Sequence, residues 1–414
     1  MTAGPIQTRT EEPLPLPEAE TPPERRLPPG MWVRENLFNS PLNTVLTIVF
    51  GLLIAWVVFR ATRFVFVTGR WQVIEQNLTN FMVGRFPRDE LYRPWIAIYL
   101  AAGAAGVGTA LYARTRPPVP WTVTLRRASP ALLGLVVILS LSRTWLPAAL
   151  TVGGFAVGAA GRLLGNRLPE RARRLLPLVG LATVLLAYVA FTGFGGVGWD
   201  NWGGLLLTLF VAVAGIVLSF PFGVLLALGR RSSFPAVRVI CVGYIELIRG
   251  VPLITLIFIG ALVLGFFLPP GMTRPGLTMR ALVAIILFAA AYIAEIVRGG
   301  LQSVPKGQTE AAKAIGLSPV KTTMRIVLPQ ALRNVIPALV GQFISLFKDT
   351  SLLGAISLLE ILGVSQAVLA QQEFLGQRVQ AEALVFASFL YWVACYSMSR
   401  ASQRLEQRLG VGER

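Results

Sequence analysis

Apolar runs recur between residues 43 and 400, each cut short by a segment carrying Arg, Gly or Pro. A hydrocarbon layer about 30 Å thick takes roughly 20 apolar residues of helix to cross, since each residue advances about 1.5 Å. Only structures that satisfy every backbone polar group internally can make that crossing. The chain therefore reads as an all-α integral membrane protein with about ten transmembrane helices. Spans are expected near 43–67, 94–113, 175–194, 204–229, 237–268, 279–300, 332–349 and 382–400, with a helical hairpin at 130–161. The hairpin follows from length: 130–161 is too long for one crossing, and Ser142, Arg143, Thr144 and Pro147 interrupt it.

Composition excludes several functions. Charged residues make up 14% of the 414, against about a quarter in soluble chains. The net charge of +18 does not point to nucleic acid, because the Arg residues sit between apolar runs, where they set topology. There is no His, and Cys241 and Cys395 each lie in an apolar run. Neither a disulfide framework nor a metal site is indicated. No G-x-x-x-x-G-K-[ST] phosphate loop occurs, so the chain has no visible means of binding ATP. Without His, most nucleophile–base arrangements are missing as well. No enzyme activity and no cofactor bound by this chain are expected, and energy must come from elsewhere.

Taken in order, residues 1–40 are rich in Pro, Glu and Thr, and read as a disordered tail. Arg25, Arg26 and Arg34 place it in the cytoplasm. Residues 41–200 read as an N-terminal membrane extension of about five spans. Within it, Trp71, Ile74, Leu78 and Phe81 recur at helical spacing, as in an amphipathic helix lying in the membrane interface. Parity puts Arg70, Arg85, Arg88 and Arg93 of that segment outside, against the positive-inside rule. Basic loops with Arg114, Arg116, Arg126 and Arg127, and with Arg162, Arg167, Arg171, Arg173 and Arg174, are expected inside. Trp199 and Trp202 suit interface anchors. Residues 201–402 read as a conducting core and 403–414 as a cytoplasmic tail.

Between two core spans lies a polar, basic stretch, Ser303 to Ala331. Pro305 opens a helix containing Glu310, Ala311, Ala312 and Lys313; Gly316 supplies a left-handed stop. Ser318 and Pro319 begin a second helix, and Pro329 bends the chain into the next apolar run. Glu-Ala-Ala, three residues, Gly, nine residues, Ile, one residue and Leu-Pro are met by Glu310, Ala311, Ala312, Gly316, Ile326, Leu328 and Pro329. This stretch resembles the EAA loop of importer permeases of the ATP-binding-cassette (ABC) class. The runs YIELIRGVPL at 244–253, YIAEIVRGGLQSVPKGQ at 292–308 and KDTSLL at 348–353 are similar to those of the polar amino-acid branch. GRFPRDELYR at 84–93 resembles the extension of longer permeases in general L-amino-acid importers.

The resemblance implies a five-helix permease core in a bacterial inner membrane, coupled to a separate ABC ATPase docked on the EAA loop. It also implies a periplasmic amino-acid-binding protein and a second permease, here expected to be a different, shorter chain. Within the core, Glu246 and Arg249 precede Gly250, and Glu295 and Arg298 precede Gly299. Pairs three apart share a helix face, so they either anchor span ends or form an inner gate. Lys348 and Asp349 either end a span or line the outer mouth of the path. Glu360 is expected in an external helix, as a contact for the delivering protein. The competing reading is a stand-alone secondary amino-acid transporter driven by an ion gradient, which would place carboxylates near the membrane midplane.

Overall fold

The computed structural model describes residues 28–113, 121–142, 144–193, 195–269, 271 and 274–409. Nearly all of them are helical, and the chain divides into two units at the Gly69–Arg70 junction.

The first unit holds α1 (Pro29–Leu37) and α2 (Pro41–Arg63), the latter prolonged by a π-helical turn at Phe64–Thr68. Ser40 caps α2, its Oγ accepting the Asn43 N–H at 3.2 Å, and Pro41 follows where a missing N–H costs nothing. Helix α1 departs from the unstructured tail expected over 1–40. Its Pro29 presets a helical φ, and the Asn36 amide donates back to the Trp32 carbonyl at 2.9 Å. Arg25 and Arg26 lie outside the described residues.

In the second unit α3 (Gln72–Val83) overturns the interfacial helix. Its stripe is present, but Val73, Ile74, Leu78 and Phe81 are buried in protein rather than laid on lipid. They pack with Ile361, Val364, Phe374 and Phe386; the Phe81 and Phe386 rings meet edge to face at 5.1 Å. Asn77 and Gln371 exchange two amide hydrogen bonds, at 3.1 and 2.8 Å. Arg93 is almost fully buried: it ion-pairs Glu90 and donates to the Ala190 and Gly193 carbonyls at 2.8 and 3.1 Å. Its hydrogen bond holds the Glu90 carboxyl below the ordinary carboxylate range. A neutralised, buried arginine says little about topology, which eases the conflict with the positive-inside rule.

Helices α4 (Tyr92–Ala113), α5 (Trp121–Ser140), α6 (Leu146–Arg167) and α7 (Leu176–Thr192) complete the extension. The hairpin breaks between α5 and α6 where expected; Arg143 itself, like Arg114 and Arg116, lies outside the described residues. Helices α4 and α6 touch through glycine. A Cβ on Gly106 would stand 2.2 Å from the Gly158 carbonyl, and one on Gly161 would stand 2.3 Å from that of Gly103. Such small-residue seams let membrane helices gain close van der Waals contact where lipid supplies no hydrophobic drive. Trp202 is no interface anchor: it is buried, donates to the Val197 carbonyl at 3.1 Å and packs 4.4 Å from Phe191 and 4.9 Å from Phe210.

The core begins with α8 (Gly204–Arg230). The span expected over 237–268 is broken instead into α9 (Pro235–Gly250) and α10 (Leu253–Phe258), with further irregular turns to Phe267, and bends by 105°. Pro252 lacks the N–H a helix needs and holds Val251 extended. Helix α11 (Leu277–Ser303) is the central strut; Ala281, Ala284, Ala290, Ala291 and Ala294 are all buried along it. Then come α12 (Lys306–Ala314), α13 (Pro319–Thr322), α14 (Leu328–Asn334), α15 (Ile336–Asp349), α16 (Ile361–Ala367) and α17 (Gln380–Leu409). The C-terminal tail is thus helical through Leu409. Among the described residues, seven helices are long and apolar enough to cross a membrane, eight if the bent pair is one span. The expected count of ten included α5 and α7: α5 carries Arg126 and Arg127 in its first half, and the apolar part of α7 is short, Leu178–Thr192.

Candidate functional site

The stretch 303–331 folds as a two-helix knob. Helix α12 ends at Gly316 with φ +79°. The Leu317 N–H reaches the Ala312 carbonyl at 3.0 Å and the Gly316 N–H reaches that of Lys313 at 2.9 Å, which satisfies the helix's last acceptors. Ser318 Oγ then accepts the Lys321 N–H at 3.4 Å and opens α13. Pro329, expected to bend the chain into the next apolar run, stands in the first turn of α14. A π-turn at Thr323–Val327 takes up the irregularity and the chain stays helical into α14.

Each position of the Glu-Ala-Ala pattern has a distinct place. Glu310, Ala311 and Pro329 are exposed, Ile326 is half-buried, and Ala312 and Leu328 are buried. Leu328 joins Val327 and Ala331 in a cluster with Val297, Leu301 and Val304 of the α11 end. There the helices approach so closely that a Cβ on Gly300 would lie 2.6 Å from the Ala331 carbonyl. Asn334 Nδ2 also donates to Ser303 Oγ at 2.9 Å. The knob is thus fastened to α11. Its tip is apolar: Ile315, Val320 and Met324 are 75%, 72% and 53% exposed. Ile315 and Leu317 are the apolar residues that flank Gly316 in the sequence; Leu317 is half-buried, and Val320 and Met324 take its place at the tip. Their signal was an apolar pair four apart on an otherwise polar turn.

Two turns earlier on α11, Glu295 is the hub of an ion network joining three helices. It ion-pairs Arg298 of its own helix, Arg230 of α8 at 3.3 Å and Arg249 of α9 at 3.8 Å. Arg230 also reaches Glu246 at 2.9 Å, and the Arg249 guanidinium lies 5.5 Å from the Tyr292 ring centroid. The expected residues come together, with different pairing. Glu295 pairs with Arg298 as the spacing suggests, while Glu246 turns to Arg230 and Arg249 to Glu295. In the sequence Arg230 is only a basic residue at the end of an apolar run, because sequence does not show that α8 ends beside α9.

The other candidates lie elsewhere. Lys348 is exposed and Asp349 half-buried in the last turn of α15, inside the apolar span Ile336–Ile356 rather than at its end. Glu360 is fully buried, so it is no surface contact. Its carboxylate caps α16, accepting the Leu362 and Gly363 N–H groups at 2.8 and 2.6 Å and the Tyr391 hydroxyl at 2.8 Å. Burial pushes this carboxyl up to about 7. It sits beside Gly204, where α8 begins, whereas α8 ends at Arg230 in the Glu295 network; the two groups therefore occupy opposite ends of the core.

Comparison with known proteins agrees with this arrangement. The family described as binding-protein-dependent transport system inner membrane component matches residues 219–411. The inner membrane amino-acid ABC transporter permease protein YhdY of Escherichia coli K12 is 35% identical over 400 residues, covering 92% of this chain and 93% of the relative. The glutamate/glutamine/aspartate/asparagine transport system permease protein BztC of Rhodobacter capsulatus is 35% identical over 423 residues, 91% of this chain and 93% of the relative. The probable glutamine ABC transporter permease protein GlnP of Bacillus subtilis is 39% identical over 207 residues, 92% of its own length but 50% of this chain. The first two similarities run through extension and core alike, while the third stops at about half. With its apolar spans, its knob and these relatives, the chain belongs to the amino-acid ABC transporter permeases, multi-pass proteins of the inner membrane rather than enzymes.

Proposed function

We propose that this chain forms part of an inward path for polar L-amino acids, driven by a separate ABC ATPase that docks on residues 303–331. The observation that carries the reading is the fastened knob. Its exposed Glu310 and apolar tip offer a partner a charge and a grip, and its buried side is bonded to α11. A push on the knob is therefore delivered to α11 as a rigid-body displacement. The first groups it reaches are Arg298 and Glu295, whose ion pairs tie α11 to α8 and α9. These pairs are the inner gate: they hold the cytoplasmic ends of three helices together and must be exchanged when the path changes its open side.

ATP binding and hydrolysis belong to the partner, and a periplasmic binding protein delivers the amino acid. The second permease is a different, shorter chain with its own coupling loop. An ion-driven carrier has no support, whereas the relatives that match most of the chain are permeases of ABC transport systems. The reading is tested by purifying the complex from native membranes, identifying every stoichiometric partner, and measuring ATP-dependent amino-acid uptake in proteoliposomes. Glu295→Gln is expected to raise substrate-independent ATP hydrolysis and lower uptake per ATP; unchanged coupling would remove the gate assignment.

A further inference from the structure

One end of the extension gathers arginines that the protein leaves without partners. Helix α6 ends at Arg167, and a 3₁₀ turn, Glu170–Leu175, leads from it into α7. Arg162, Arg167, Arg171, Arg173 and Arg174 all fall in this short stretch, with Glu170 as its single acid. The stretch is wound against the end of α4. A Cβ on Gly165 would stand 2.7 Å from the Ala110 methyl, and one on Gly108 would stand 4.0 Å from the Leu176 side chain. The Arg173 guanidinium lies over the Tyr112 ring, 4.7 Å from its centroid. Between these elements opens a cleft of about 390 Å³, lined by Leu111, Glu170, Arg173 and Arg174. Elsewhere arginine is satisfied internally: Arg93 pairs with Glu90, Arg230, Arg249 and Arg298 pair with Glu295, and Arg231 and Arg238 donate to carbonyls. Among the described residues the five arginines make no ion pair, and all are exposed.

A basic turn beside a membrane often does no more than set topology. Two observations point further here. Leu163, Leu164, Leu175 and Leu178, interleaved with the arginines, are each more than half exposed. A soluble anion would give such leucines no cover, whereas a lipid offers phosphate to the guanidinium groups and acyl chains to the leucines. The second observation is level. At its start α4 is bonded through Arg93 to the Ala190 and Gly193 carbonyls at the end of α7, and Phe191 there packs on Trp202 just before α8. The cleft lies at the other ends of α4 and α7, and so on the side where α8 ends in the Glu295 network. The apolar part of α7, Leu178–Thr192, is short for a crossing, which brings headgroups to the level of Arg173 and Arg174.

We infer that this cleft is a binding site for an anionic phospholipid, whose phosphate is held by Arg173 and Arg174 while its acyl chains lie along Leu175 and Leu178. The site belongs to the extension, outside residues 219–411 that match the family. It is independent of the knob and of the Glu295 network, and it gives the extension a lipid ligand of its own.

The test uses the complete transporter, purified in detergent, depleted of lipid and titrated with phosphatidylglycerol over a constant background of phosphatidylcholine. Native mass analysis counts the lipid retained. The parent is expected to hold phosphatidylglycerol in preference to phosphatidylcholine. Arg173→Gln combined with Arg174→Gln should weaken that retention about tenfold, the size expected for two basic groups beside an anionic headgroup. Arg173→Lys with Arg174→Lys should keep most of it. Arg60→Gln with Arg63→Gln removes the same charge from the end of α2 and should leave retention unchanged. An equal loss in that control pair would assign the effect to general surface charge and overturn the site. Glycerol 1-phosphate carries the phosphate without the chains; displacement of the lipid by an equal concentration of it would make this a soluble-phosphate site and overturn the lipid assignment. Loss of the ATPase from the Arg173 and Arg174 variant, with lipid retention unchanged, would make the cluster a protein contact and overturn it too. If the glutamine pair fails to reach the membrane, the parent titration decides: no preference for phosphatidylglycerol refutes the site.

Discussion

Gly316 and Glu310 show how much a single position can decide. Gly316 holds φ +79° in open surroundings, so Gly316→Val meets no neighbour and the penalty is purely conformational, about 1–3 kcal/mol. The variant is expected to reach the membrane at normal levels and lose uptake because the ATPase no longer co-purifies. Gly271 is a matched control, with φ +86° and equally open space in a different loop; Gly271→Val should leave ATPase attachment intact. Glu310→Arg tests charge instead of shape: like charges across an interface can cost several kcal/mol. Normal transport by both knob variants would reduce the knob to a connector. At Glu360 the sign of a pH effect is fixed. Its carboxyl is raised from 4.5 to about 7, so the fold binds a proton that the unfolded chain releases earlier. The associated stability is complete below about pH 4.5, declines toward pH 7 and is flat above, on the order of 3 kcal/mol in all. Thermal unfolding of the purified complex should therefore show a midpoint that falls from pH 4.5 to 7, and Glu360→Gln should flatten that slope. An equal slope in the variant would assign it to another group.

Between elements, the main lesson comes from α3. Its apolar stripe was legible at 3.6-residue spacing, and so was its helix. What the stripe packs against was not, because a period cannot distinguish a lipid surface from α16 and α17 folded back over it. The packing makes a quantitative prediction: Phe81→Ala removes a fully buried ring that meets Phe386 edge to face, and should destabilise the complex by about 3–5 kcal/mol. A change below 1 kcal/mol in denaturant titration would return α3 to the membrane surface. The broken helix 235–267 makes the same point differently. Pro252 stands in the sequence, yet a Pro-bearing apolar run also fits a single bent span. The 105° turn needs the extended Val251 and the packing of α9 between α8 and α11.

On the scale of the whole molecule, the absence of a phosphate-loop motif from the sequence calls for a partner that binds ATP. Purified alone in detergent, the chain should show no saturable ATP turnover; measurable turnover would refute the division of labour. Native mass analysis of the assembled transporter should find one copy of this chain with a shorter permease, and two copies without another permease would contradict it. The sequence alone determined the solvent of the fold, its helical class, the break of the 130–161 stretch between α5 and α6, and the knob with Glu310, Gly316 and Leu328. Each of these rests on local or periodic properties: apolar length, helix stops, caps and motif spacing. Tertiary structure decided which charges meet, since Arg230 and Glu295 are brought together by helices 65 residues apart in the chain. It also buried Glu360, Trp202 and Arg93, because whether a polar side chain is covered depends on distant segments supplying acceptors and donors.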